Sequence, residues 1–245
     1  MSCCSSKDFS FLRLKLGRYF DQEWVDSPLY KRDGTFSKEH MKYFVDATIK
    51  NYEEAGKPLS KEKKRQSRKT FLFMYNIMTL NGIMAKNRER FINHGVRIAG
   101  LPGMKTVFRF VLKRWFKALD VDGNGVISWQ EWYFMVLKPF LKPRGVEDED
   151  EAKACLRHCG CRYGIEDEEE AKACFNIVDA NKNGVTLSFD EVANATIEYF
   201  TETEVTKCAY LFGRFRHLPK EFESKMKKIN QEYFDDDHEM NGSKE

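Results

Sequence analysis

Residues 120–131, DVDGNGVISWQE, carry oxygen-bearing side chains at alternate positions and end on a glutamate. A hard cation such as Ca²⁺ takes about six to eight oxygen ligands, and a loop of this length supplies them from its first, third, fifth, seventh, ninth and twelfth residues. The predicted ligands are therefore, in that order, Asp120, Asp122, Asn124, the backbone carbonyl of Val126, Ser128 and both carboxylate oxygens of Glu131.

Two further residues of this stretch fit a metal-binding loop. Gly125 permits a sharp turn, because glycine adopts left-handed backbone conformations without strain. Ile127 is placed to pair through a short β contact with the equivalent residue of a second loop. A solvated acidic turn is the alternative interpretation, since Asp-Gly and Asn-Gly are common turn dipeptides. The complete loop pattern between two apolar helical stretches favours the metal site.

A second stretch of the same character, DANKNGVTLSFDE, spans residues 179–191. Its first ligands would be Asp179, Asn181 and Asn183. Two of these three side chains are neutral amides, so this loop carries fewer carboxylates than the first. We therefore expect it to bind Ca²⁺ more weakly.

The residue that closes the second loop differs between two alignments. A loop of regular length ends at Asp190, whose shorter side chain suits the tighter coordination shell of Mg²⁺. A one-residue insertion after Gly184 ends the loop at Glu191 instead and places Leu187 at the pairing position. We prefer the insertion, because it restores the glutamate, the apolar pairing residue and the apolar start of the following helix together.

The rest of the chain predicts helices. Apolar residues between Phe108 and Leu119 recur at intervals of three and four up to Asp120, whereas strand-like alternation is nearly absent. The fold class is therefore all-α. Two upstream segments have the second half of a similar loop and helix, but His40 and Arg88 stand where the closing carboxylate belongs, so neither is expected to bind metal.

The chain resembles the sarcoplasmic calcium-binding protein and calexcitin-like group of EF-hand proteins, within the calmodulin superfamily. The resemblance rests on the motifs Cys174-Phe175 before residues 179–184, Leu101-Pro102 before the helix leading to Asp120, and residues 198–200 and 211–213 after the last loop. It implies four EF-hand helix-loop-helix units in two pairs, with short β contacts between paired loops. It also implies a cytosolic protein that buffers Ca²⁺ or signals with it, or a calcium-regulated carrier of a small hydrophobic ligand, as luciferin-binding proteins are.

The expected organisation has three parts. A degenerate EF-hand pair would occupy residues 11–96, and a calcium-binding pair residues 104–205. The second pair contains a duplicated acidic insert at 145–174, in which EDEDEAKAC and EDEEEAKAC repeat. The charged tail at 214–245 is expected to be helical and to fold back through an apolar stripe, and the basic run KEKKRQSRK at 61–69 reads as a linker entering a helix.

Composition and motifs argue against several other classes of protein. Lys and Arg total 41 against 38 Asp and Glu, so no overall field favours nucleic acid. Seven cysteines without a secretory leader pattern indicate reduced thiols and a cytoplasmic location. No arrangement of nucleophile, base and orienting residue suggests an enzyme. The expected partners are calcium and either a protein target or a small hydrophobic ligand, with no transmembrane segment.

Overall fold

The computed structural model describes residues 8–21, 37–54, 56, 58–79, 87–133, 168–212, 215 and 218–234. The helices in the first half are α1 (Ser10–Phe20), α2 (Lys38–Glu54), α3 (Lys61–Thr79) and α4 (Arg88–Ala99). Those in the second half are α5 (Met104–Leu119), α6 (Trp129–Trp132), α7 (Glu168–Val178), α8 (Phe189–Thr201), a 3₁₀ turn (Lys207–Tyr210) and α9 (Lys220–Tyr233). The strands β1 (Ile127–Ser128) and β2 (Thr186–Leu187) pair antiparallel.

The all-α prediction is confirmed, with the two loops joined by this short sheet. The first copy of the acidic repeat and most of the two upstream loops lie outside the described residues. Among the helices that are described, none has both the length and the apolar character that crossing a membrane requires.

The basic run at residues 61–69 is the first half of α3, so the linker prediction is wrong. Lys, Arg, Glu and Gln have high helix propensity, and the Ser60 hydroxyl accepts the Lys63 N–H at 3.1 Å, which caps the first turn. The helix is also tied to α2 by two ion pairs, Lys64–Glu53 and Arg68–Asp46.

One apolar core runs through both halves of the chain. Helix α1 packs on α4, α2 on α3 and α5 on α8, while α3 also contacts α5. The largest cluster joins Val45 of α2 and Phe71 of α3 to Leu112, Trp132 and Phe175 of the second half. The α1–α4 approach is close, since a Cβ added at Gly95 would lie 2.7 Å from the Leu16 side chain.

Both ends of the described chain pack on the second half. Helix α1 buries Lys15, whose ammonium donates to the Glu202 carbonyl at 2.8 Å, and Arg18, whose guanidinium donates to the Phe212 carbonyl at 2.9 Å. Helix α9 buries Met226 completely in a separate apolar cluster with Phe11 of α1. The apolar stripe of the tail lies in or against that cluster and consists of Phe222, Met226, Ile229 and Tyr233.

Candidate metal centre

Three carboxylates of the first loop converge. One oxygen each from Asp120, Asp122 and Glu131 lies within 4.8 Å of the others. Asp120 and Glu131 are buried, at 8% and 2% exposure, whereas Asp122 is exposed. Like charges this close destabilise one another unless a cation neutralises them. The donor set consists of oxygen atoms alone, which fits a hard divalent cation such as Ca²⁺.

Backbone N–H groups of the loop hold the first ligands in place. The two oxygens of Asp120 accept from Gly123 and Gly125 at 2.8 and 3.1 Å. Both glycines have left-handed backbone, with φ of 77° and 85°, which other residues adopt only with strain. The Asn124 side-chain oxygen accepts the Val126 N–H at 2.9 Å. The loop is therefore curled around its oxygen-bearing side chains.

Glu131 closes the first loop from the start of α6. One of its oxygens accepts the N–H of Val121 at 2.7 Å, and the other accepts both the N–H and the hydroxyl of Ser128 at 2.9 Å. Ser128 in turn accepts the Glu131 N–H, which completes a capping box. Because the Ser128 hydroxyl is used by this cap, a ligand role for Ser128 would run through a bridging water.

The second loop repeats the arrangement with fewer charges. Asp179 is buried and accepts the N–H of Gly184 at 2.6 Å and that of Asn183 at 3.2 Å. The Asn181 side-chain oxygen also accepts from Asn183, at 3.0 Å. Glu191 accepts from the Asn181 side chain at 2.7 Å, so four of the predicted ligands meet in this loop.

The register of the sheet shows where the second loop is longer than the first. Ile127 pairs with Leu187, as predicted. The second loop therefore has its one additional residue between Gly184 and Leu187. Glu191 forms the same capping box with Ser188 that closes the first loop. Asp190 points away from the loop: its side chain is 71% exposed and forms an ion pair with Arg109 of α5.

Hydrogen bonds in the second loop favour the charged form of Glu191. Burial by itself raises the pKa of this carboxyl, but the N–H and hydroxyl of Ser188 and the N–H groups of Asn181 and Ala180 outweigh it and hold the pKa below its usual value. The carboxylate is therefore ready to bind a cation near neutral pH.

A lysine that the loop pattern did not reveal lies beside the second loop. The Lys172 ammonium donates to the Gly184 carbonyl at 3.1 Å and lies over the rings of Trp129 and Phe175, 4.8 and 4.5 Å from their centroids. Burial lowers the pKa of Lys172, and Asp179 partly opposes that shift. The sequence could have indicated this contact, because Lys172 precedes Asp179 by two helical turns and therefore lies on the same face of α7 as the start of the loop.

Sequence comparison identifies the segment that carries both loops. Residues 109–197 match the family model described as an EF-hand domain pair. No curated protein sequence matches the chain significantly.

Solved structures share the fold at low sequence identity. The calcium-loaded apo form of coelenterazine-binding protein from Renilla muelleri is 20% identical, with a TM-score of 0.59 over 84% of this chain and 97% of that one. Okadaic acid binding protein 2.1 is 14% identical, with a TM-score of 0.53 over 85% and 98% of the two chains. For n-aequorin the values are 17%, 0.54, 86% and 98%.

The matched segment and the paired loops define the class of site. Residues 109–197 form an EF-hand domain pair, and the oxygen-only donor sets of its two loops fit Ca²⁺.

Proposed function

We propose that the chain binds one Ca²⁺ ion in each loop and serves as a non-enzymatic cytoplasmic calcium buffer. The ligands of the first ion would be Asp120, Asp122, Asn124, Val126, Glu131 and, through water, Ser128. Those of the second would be Asp179, Asn181, Asn183 and Glu191. When bound, Ca²⁺ supplies the positive charge that neutralises these converging carboxylates.

One observation carries the calcium-binding part of the proposal. The capping boxes Ser128–Glu131 and Ser188–Glu191 hold the two closing glutamates in equivalent positions, on either side of the Ile127–Leu187 pair. Each glutamate is thereby turned toward the buried aspartate that opens its loop. Equivalent geometry in two paired loops is the arrangement expected if both sites work.

The continuous core supports a buffer over a sensor. A sensor opens its helix pairs on binding Ca²⁺ and exposes an apolar groove to a target. Here the apolar residues of α5, α7 and α8 belong to one buried cluster with Val45, Ile49 and Phe71 from the first half. Opening that face would expose the shared core, at an estimated cost of roughly 25 cal/mol for each Å² of apolar surface.

Calorimetric Ca²⁺ titration of the metal-free protein tests the two sites. Wild type should show two binding events, Glu131→Gln should lose one and Glu191→Gln the other. Asp190→Asn is the matched control and should keep both. If Asp190→Asn removed the second event while Glu191→Gln did not, the assignment of the second loop would be wrong.

An anilinonaphthalene sulfonate dye separates buffering from sensing. A buffer should leave the dye fluorescence nearly unchanged when Ca²⁺ is added, because no apolar groove opens. A large rise that vanishes in Glu131→Gln would instead identify a sensor.

A second candidate function is that of a calcium-regulated carrier of a small hydrophobic ligand. Tyr19 of α1 lies 5.1 Å from Phe200 and 5.2 Å from Phe212 between ring centroids, in a cluster that also includes Tyr199. Tyr19 and Phe200 are only partly buried. A relative of the same fold is named for coelenterazine.

Absorption spectroscopy of the purified protein tests the carrier function. A co-purified chromophore, released by Ca²⁺ and reduced in Phe200→Ala, would favour the carrier over the buffer. A colourless protein that also fails to quench or shift added coelenterazine fluorescence would exclude coelenterazine as its ligand.

A further inference from the structure

A groove open to solvent, with a volume of about 460 Å³, lies between α3 and α5, and none of the predicted metal ligands lines it. Its wall contains four cationic side chains, two from each helix. We call this feature the cationic groove; it is lined by Arg65, Lys69, Arg114 and Lys117, together with Glu62, Gln66 and Thr70.

The basic run at the start of α3 separates into faces with different partners. Lys64 and Arg68 face α2, where each forms an ion pair. Lys63 faces the first loop and donates to the carbonyls of Asp120 and Lys117. Arg65 and Lys69, one helical turn apart, are exposed and face the groove, where no described carboxylate forms an ion pair with either.

The α5 side of the groove places its arginine against an aromatic ring. The Arg114 guanidinium lies over the ring of Phe73 from α3, 4.3 Å from the centroid. A cation–π contact of this kind restrains the side chain without using the N–H donors of the guanidinium. Lys117 lies one turn further along α5 and is exposed.

Charge and shape together indicate an anionic ligand. Four cations face one carboxylate, Glu62, so the lining carries a formal charge of +3. Positive charge concentrated in a concave site attracts anions. Guanidinium groups bind phosphate through two parallel hydrogen bonds, and lysines add compact positive charge. The volume is that of a small-molecule site, whereas an acidic peptide would need an extended groove.

We propose that the cationic groove binds a multiply phosphorylated anion, either a free small molecule or the headgroup of a phosphoinositide lipid. The two sources differ in what they require next to the groove. On the same face of α5 as Arg114 and Lys117, Val107 and Phe110 are 46% and 66% exposed. Only a lipid source would use these apolar side chains, by placing them in a bilayer.

The site is tested on the full-length calcium-free protein, so its result does not depend on the proposed calcium function. Inositol hexakisphosphate is titrated by calorimetry in chelator and near-physiological salt. The Arg65→Gln, Lys69→Gln double variant should bind about tenfold more weakly or worse. The matched control, Lys227→Gln with Lys228→Gln on exposed positions of α9, should change affinity by less than about twofold.

Three results would overturn the site: no binding to wild type, equal weakening in both double variants, or binding of polyglutamate as tight as that of the phosphate compound. Circular dichroism of both double variants verifies that they fold.

Sedimentation with phosphatidylcholine vesicles that contain a phosphatidylinositol bisphosphate distinguishes the sources. If the wild type binds the vesicles and both the groove variant and Phe110→Ser lose that binding, the ligand of the groove is a lipid headgroup. If the wild type binds inositol hexakisphosphate but not the vesicles, the ligand is a free small molecule.

Discussion

At the scale of single residues, the two loops differ in the charges that surround their predicted metal ligands. The loop contributes two carboxylates, Asp179 and Glu191, while Lys172 lies against its backbone and Lys182 lies within it. The first loop contributes three carboxylates, although Lys63 donates to the carbonyl of its first residue. From this balance of charge we expect the second loop to bind Ca²⁺ more weakly than the first.

We expect Lys172→Gln to raise the Ca²⁺ affinity of the second site. Removal of a cation close to Asp179 lowers the electrostatic cost of bringing Ca²⁺ into the loop, and about 1 kcal/mol of such repulsion corresponds to roughly fivefold in affinity. Calorimetric titration in the Glu131→Gln background isolates the second site. Lys227→Gln, an exposed substitution on α9, should leave its affinity unchanged, and an unchanged affinity in Lys172→Gln would contradict the electrostatic account.

Single residues also show what the sequence could and could not reveal. The ligands of each loop are neighbours in the chain, so their spacing alone predicted the paired loops and the Ile127–Leu187 contact. The burial of Lys15 and Arg18 could not be predicted in this way. It depends on contacts with the carbonyls of Glu202 and Phe212, which are almost 200 residues away in the chain.

At the scale of elements, the short sheet links the two metal loops. Ile127 and Leu187 are fully buried, and each lies between the first ligands and the closing glutamate of its loop.

The first half of α3 could not be predicted from hydrophobic periodicity. Residues 61–69 contain no apolar residue, so helix propensity, capping and ion pairs determine this part of the helix rather than an apolar face.

We expect Leu187→Ala to weaken both metal sites and to destabilise the protein by about 2–5 kcal/mol, because it leaves a cavity in the core between the loops. Calorimetry should show lower Ca²⁺ affinity at the first site as well as the second. Val185→Ala, at an exposed position of the same loop, is the matched control. An effect of Leu187→Ala confined to the second site would mean that the sheet does not couple the loops.

A buried lysine connects α1 to the end of α8 and makes stability depend on pH. Burial lowers the pKa of Lys15 from 10.5 to about 8, although Glu198 and Glu202 oppose the shift. Between these two values the unfolded chain binds more protons than the folded one, so the free energy of unfolding rises with pH.

Relative to Lys15→Met, wild type should therefore gain up to about 1.4 kcal/mol of stability per pH unit between about pH 8 and pH 10.5, with no further change outside that range. Urea denaturation of both proteins in chelator, at a series of pH values, measures this difference. Lys227→Met serves as the exposed-lysine control. A difference between wild type and Lys15→Met that does not change with pH would contradict the buried-charge explanation.

At the scale of the whole molecule, the two halves share one core, so we expect them to unfold together. Val45 of α2 packs in the cluster that contains Leu187 of the second loop. Calorimetry should show one transition, and Ca²⁺ at about 100 times its dissociation constant should stabilise it by roughly 2.7 kcal/mol per site. Val45→Ala should lower that same transition in both metal-free and calcium-loaded protein, whereas Lys42→Ala, exposed on the same helix, should not. Two transitions, one shifted by Ca²⁺ and the other by Val45→Ala, would show that the halves unfold independently. The apolar face of the second half would then be free to open. In that case the structure would give no reason to prefer a buffer over a sensor.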